Sequence, residues 1–227
     1  ENTEHLIPEI VTPDAFKENT GLCLTNSLYF ESGWDGDPWT VETEEDDFGS
    51  NGEKTIFMTC EADRYYENDR ATAFARSYVN GLQFIGILPK EEDDFTLENL
   101  DIHGLLESEP EYTTVNARMP KLDYITSVEL TDILSSLGLE EIFSDTADFA
   151  GISDVPTYVS SIIQKTNLQL DENGTKAAAV TAAIMECMSA MPEEEPKEVN
   201  LNRPFAFLIY DAEARETLFI GKIVTMQ

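Results

Sequence analysis

The sequence predicts an α+β domain built on antiparallel or mixed β-sheets. Three observations lead there. Several long runs read as strands, many apolar enough to be buried. Only one stretch combines helical spacing with a start and a stop signal. Strands and helices do not alternate regularly, and no internal repeat of a few tens of residues is visible.

Each element has its own reason. Residues 1–20 are polar and carry Pro8 and Pro13, which reads as a connecting segment with short helical turns. Residues 22–30, LCLTNSLYF, form an apolar stretch suited to a buried strand. Residues 31–53 read as a loop-rich insert, with Gly33, Gly36, Pro38 and the acidic run Glu42–Asp47. That run reads as a solvated edge; a calcium site is the alternative, but the regular EF-hand spacing is missing. LQFIGILP at 82–89 predicts a buried strand ended by Pro89. Residues 112–125 are mostly extended, with Pro120 at a bend or an edge. Thr126-Ser127-Val128-Glu129 reads as a capping box. Leu130, Ile133, Leu134 and Leu137 then recur at helical spacing, and Gly138 is a natural stop. TNLQL at 166–170 alternates like a strand that points straight into the residues after it. Residues 204–224 read as a hairpin with its turn at about 211–216 and both strands largely buried.

A chain of 227 residues with 41% hydrophobic content, 12 Phe, 8 Tyr and 2 Trp can bury a sizeable core. Its 45 acidic against 14 basic residues give a formal charge of −31. That charge argues against a nucleic-acid or anionic-membrane partner, because both surfaces repel it. It fits an extracellular or salty setting. No apolar run approaches a membrane span, and no signal peptide is recognisable. The chain starts at Glu1 without a methionine, which reads as a processed or truncated product. Cys23, Cys60 and Cys187 are too scattered for a disulfide scaffold or a zinc knuckle and read as free thiols. His5 and His103 lack metal-ligand spacing. There is no nucleophile elbow, phosphate loop, dinucleotide fingerprint or HExxH, so neither an enzyme nor a cofactor is predicted.

The stretch DENGTKAAAVTAAIMECMSAM at 171–191 stands out in so acidic a chain. Alanine favours a buried helix. Small side chains without proline also suit a strand added to a sheet. Asn173-Gly174-Thr175 matches a glycosylation sequon, but Asn-Gly marks a turn by itself.

Four motifs in order resemble the serpin family of serine protease inhibitors. LTNSLYFESGW at 24–34 is similar to a serpin strand motif running from an asparagine through an aromatic pair to a tryptophan. Met119-Pro120-Lys121, followed by a helix and LGLEEIFSDTADFAGIS at 137–153, resembles a second signature. The segment from Glu172 to Thr181 resembles the proximal hinge. Asn202-Arg203-Pro204-Phe205 through Phe219-Ile220-Gly221 resembles the carboxy-terminal signature.

The resemblance implies a serpin fold: mixed β-sheets with flanking helices and an exposed or inserted reactive-centre loop. Residues 1–227 correspond to the carboxy-terminal portion of one serpin domain, with the loop at about 174–200. The family's amino-terminal helices and first sheet strands are not in this sequence. The expected hinge is Glu172, Gly174, Thr175, Ala177, Ala178, Ala179 and Thr181. The sheet-opening residues are Asn26, Trp34 and Gln164, with Trp34 where the loop enters. Gln164 stands where many serpins carry a histidine. The usual distance from the hinge glycine places the bait bond at Met188–Ser189; a shift of loop length would move it to Cys187 or beyond. Met188 suits elastase-like or chymotrypsin-like proteases. The acidic stretch from Pro192 to Glu198 is either a solvated linker or an exosite for a basic protease.

The implied mechanism is insertion of the cut loop as a new strand. On alternating geometry Thr175, Ala177, Ala179, Thr181 and Ala183 would share one face, all small enough to enter a packed sheet. Alanine's helix preference, about half a kcal/mol per residue, is weak enough to be overridden. The alternatives are a non-inhibitory serpin and a fragment that needs a separate amino-terminal chain. The small hinge residues weigh against the first. The implied partners are therefore a serine protease and the family's amino-terminal segment, in an extracellular setting.

Overall fold

A computed structural model describes residues 22–50, 52–91, 95–175 and 195–226. The chain divides into two compact units, Glu1–Phe30 with Asp123–Gln169, and Glu31–Leu122 with Leu170–Gln227.

The first unit holds strand β1 (Leu22–Leu28), most of β8 (Leu122–Glu129) and β9 (Val159–Asp171) up to Gln169. β1 runs parallel to β9 with Asn26 opposite Gln164, and β8 also pairs with β9. The expected strand at 22–30 is therefore present, but it is not buried: its residues are half-buried or exposed, Leu24 at 41%. No layer of described residues covers its apolar side chains.

The capping box is corrected. Residues 126–129 lie in β8, where pairing with β9 overrides the local cap signal. The helix, α2, starts later, at Thr131–Leu134, and has no side-chain cap. Thr131 instead ties it to β9: its hydroxyl accepts from the Ile162 N–H at 3.3 Å, while the Leu130 N–H donates to the Ile162 carbonyl at 2.8 Å. Gly138 has a left-handed φ of 98° and interrupts the wider turn that follows, Ser135–Leu139.

The second unit is built on one large sheet. Its order is β11 (Lys197–Asn200), β7 (Glu111–Pro120), β4 (Glu53–Glu67), β5 (Ala71–Ser77), β6 (Gln83–Pro89), β12 (Phe205–Asp211), β13 (Glu216–Ile223), with β3 (Thr40–Phe48) also on β4. Pairing is antiparallel except between β11 and β7.

Period-two alternation sorts the side chains of β5, β6 and β12 onto two faces. On one face Ala71, Ala73, Ala75, Ile85, Ile87, Ala206 and Leu208 are fully buried with Leu100 and with Leu105 of helix α1 (Ile102–Glu107). Small alanines let the helix lie close. On the other face Phe74, Phe84 and Phe207 meet in rings about one stacking distance apart: Phe84 is 6.0 Å from both others. Gly86 lies where these layers are tightest, since a Cβ there would stand 2.7 Å from Leu201 and from Phe74.

Two further expectations are corrected. Residues 31–53 are not chiefly loop. Besides β2 (Ser32–Gly33) they contain β3, and the acidic run lies within it. Its pairing with β4 is supported by Arg118 of β7, which grips Glu42 with two bonds of 2.6 and 2.7 Å and Asp46 at 2.9 Å, and lies 3.8 Å over the Phe57 ring. The hydrogen bond from Arg118 holds the Glu42 carboxyl below its ordinary range, and the Asp47 backbone N–H, followed by Arg118, does the same for Asp46. In the carboxy-terminal hairpin β12 is buried as expected, whereas β13 is largely exposed until Ile223.

Candidate functional site

In the second unit the chain leaves β9 at Leu170-Asp171 and turns back at once. β10 (Gly174–Thr175) pairs antiparallel with Asp171 and Leu170 on one side and with Gly33 and Ser32 of β2 on the other. The expectation that β9 points straight onward is thus corrected: Glu172 and Asn173 form a tight reversal. The Asn173 N–H donates to the Asp171 carboxylate at 2.8 Å, a local bond that asparagine and aspartate turns favour. Gly174 adopts a φ of 149°.

Three successive carbonyls of this turn are taken by two tryptophans. The Trp34 indole N–H donates to the Asp171 carbonyl at 3.0 Å. The Trp39 backbone N–H donates to that of Glu172 at 2.9 Å, and the Trp34 backbone N–H to that of Asn173 at 3.0 Å. Each of these half-buried backbone acceptors is thereby satisfied.

The side chains around them close the site. Thr175 is 2% exposed, and its hydroxyl is 2.7 Å from the Tyr78 hydroxyl. Burial pushes the Tyr78 phenol well above its usual range. Tyr78 stacks on Trp34 at 4.5 Å and 9° between planes, and Trp34 meets Phe84 edge-on at 5.9 Å. Lys121 contacts the Glu172 carboxylate at 2.5 Å, and that hydrogen bond holds the Glu172 carboxyl below its ordinary value. Arg76 lies over both Trp34 and Trp39, 5.7 and 5.6 Å from the ring centres. Beside it, burial pushes the Cys60 thiol up to about 11, so it stays neutral at physiological pH.

Among the sequence-predicted residues, Glu172, Gly174, Thr175 and Trp34 come together here. Asn26 and Gln164 face each other in register in the first unit. Ala177, Ala178, Ala179, Thr181, Met188 and Ser189 lie outside the described residues. Of the acidic stretch, Lys197 and Glu198 belong to β11. Lys197 pairs with Glu111 at 3.4 Å, and Glu198 accepts from Asn116 at 2.7 Å.

Sequence reasoning missed Lys121's partner, and it missed Trp39, Tyr78 and Arg76 as neighbours of the hinge. Arg76 carried a signal: it has the parity of Thr72 and Phe74 in an alternating strand, a lone charge on a face otherwise uncharged.

The arrangement presents a short strand, Gly174–Thr175, clamped at its turn and paired on both sides. Its chemistry is that of backbone pairing.

The family described as serpin (serine protease inhibitor) matches residues 1–226. An uncharacterized serpin-like protein of Thermococcus kodakarensis is 32% identical over 99% of this chain and 54% of its own length. A leukocyte elastase inhibitor of Sus scrofa is 29% identical over 98% of this chain and 63% of its own. The crystal structure of a thermophilic serpin, tengpin, in the native state superposes with a TM-score of 0.81 at 30% identity, covering 99% of this chain and 60% of that one. The chain spans only about half to two thirds of the length of these relatives. The fold and the family match lead to one conclusion: this chain belongs to the serpin family, whose fold it carries.

Proposed function

We propose that the protein is an irreversible suicide-substrate inhibitor of serine proteases of the elastase-like or chymotrypsin-like kind. The observation that carries the reading is β10. Gly174 and Thr175 are already paired on both sides, and Thr175 is buried, so the small-residue run after them starts from an existing strand edge. Extension adds ladder hydrogen bonds worth about 1 kcal/mol each. A charged or bulky side chain on the inward face would oppose that gain.

The reaction is the protease's. Its serine oxygen attacks the Met188 carbonyl, the bond to the Ser189 nitrogen breaks, and the amine leaves with a proton. The ester that remains joins Met188 to the protease. Insertion of the freed segment after Thr175 then carries the protease away before water completes hydrolysis. A Met188 side chain fits an apolar pocket of moderate size and cannot pair with a buried carboxylate. The name of the Sus scrofa relative supports the elastase-like choice. Secretion fits the charge and the protease partner.

The test is incubation of the full-length protein with an elastase and, separately, with trypsin. A detergent-stable complex with elastase, and a released peptide whose mass begins at Ser189, is the expected outcome. Turnover of the loop without any complex would overturn the reading and favour a non-inhibitory member.

A second reading concerns the first unit. Leu24, Ile125, Leu137 and Val155 are exposed there. We propose that the part of the serpin domain these relatives have beyond the matched length covers such residues, in the same chain or as a separate one. Exchange or fluorescence measurements with and without that part would show protection of β1 and β8 only in its presence.

A further inference from the structure

Arg76 is the only Lys, Arg, Asp or Glu that is buried among the described residues, 7% exposed. No carboxylate among the described residues stands within ion-pair distance of it. An apolar side chain of similar volume would fill the place without the cost of desolvating a charge. Its contacts point elsewhere. One guanidinium nitrogen donates to the Glu61 carbonyl on β4 at 3.3 Å, and the other donates to the Asp37 carbonyl. The Asp37 carbonyl belongs to the short loop between Trp34 and Trp39, and the guanidinium approaches both of those rings.

We infer that Arg76 is a positioning residue for the hinge, tying the loop that carries Trp34 and Trp39 to the rigid sheet and so fixing the N–H groups that hold Asp171, Glu172 and Asn173. The argument is one of reach. The Glu61 carbonyl is fixed by β4, where Glu61 pairs with Asn116 of β7. Asp37 is in a loop with no ladder of its own. A planar group with several donors bridges the two while its faces meet indole rings, which a lysine ammonium cannot do. The two tryptophans then set the turn, and the turn sets the register of β10.

Its consequence for trapping rests on the inhibitor reading above. After acylation the loop either inserts or is hydrolysed, and the ratio fixes how much inhibitor is consumed per protease trapped. A loosened turn slows insertion and leaves bait cleavage alone.

The experiment compares wild type, Arg76→Met and Arg76→Lys in the full-length protein. Two readouts are taken with elastase as the probe: inhibitor consumed per trapped protease, and amide hydrogen exchange at Trp34, Trp39, Ile85 and Ile87. For Arg76→Met, consumption is expected to rise about three- to tenfold, the scale of a lost desolvated cation–π contact. Exchange at Trp34 and Trp39 should quicken by a similar factor, with Ile85 and Ile87 unchanged. Arg76→Lys should fall between. Unchanged Trp34 and Trp39 exchange overturns the inference. So does faster exchange with wild-type consumption, or an equal loss of protection at Ile85 and Ile87, which marks general destabilisation. If wild type traps no protease at all, the inhibitor reading fails, and the exchange pattern alone still decides whether Arg76 positions the turn.

Discussion

The two units treat the same strand periodicity in different ways. In the second, both faces of β5, β6 and β12 meet a layer, aliphatic on one side and aromatic on the other. In the first, β1, β8 and the helical turns after β8 leave apolar side chains such as Ile125, at 55%, in solvent. The difference teaches that alternation fixes which side chains share a face, whereas burial needs a partner layer that no single strand encodes. The turn at Glu172 and Asn173 and the groups that clamp it lie within the second unit.

The largest expected effect tests that contrast directly. Phe84→Ala removes a fully buried ring that touches Trp34, Phe74 and Phe207, and should cost about 3–5 kcal/mol in denaturant unfolding. Ile125→Ala in the same 227-residue chain should change stability by less than about 0.5 kcal/mol. Equal losses would break the comparison.

Gly86→Ala comes next. Its Cβ would overlap Leu201 and Phe74, so a loss of about 1–3 kcal/mol is expected, read as a shift in unfolding midpoint without a change of slope. Thr175→Val keeps the shape and removes the hydroxyl bond to Tyr78. A loss of about 1 kcal/mol is expected, with faster exchange at Thr175 itself.

The smallest effect concerns Lys121 and Glu172, both partly exposed. The Glu172 carboxyl is held below its ordinary value in the folded state. Its contribution is therefore present above that ordinary range and fades as pH falls through the folded pKa. The stability difference between wild type and Glu172→Gln should be below about 1 kcal/mol at neutral pH and shrink as acid protonates the folded carboxyl, below the ordinary glutamate range. A difference that grows in acid would contradict the pairing.

Much of this was legible in the chain itself. The buried strand at Gln83–Pro89 follows from an apolar run ended by proline, and the β12–β13 turn from its polar residues. The helix start failed because Thr126 and Glu129 satisfy a local rule that strand pairing overrode. The loop reading of residues 31–53 failed because β3 pairs with β4 beside Arg118, far along the chain, although the acidic run itself is the mostly exposed edge expected. At the site, the Asn-Gly pair announced the turn that the structure shows, and Trp34 was singled out through its family pattern. The partners did not show, because Lys121, Tyr78 and Arg76 reach the turn only through the register of the large sheet.

The central claim is that Gly174 and Thr175 seed a strand that lengthens once the bait bond is cut. Amide exchange of residues 176–183, measured before and after cleavage by elastase, tests it most directly. Protection rising after cleavage to the level of β9, with a higher unfolding temperature, is the expected result. Amides that exchange as fast in the cut protein as in the intact one would contradict it.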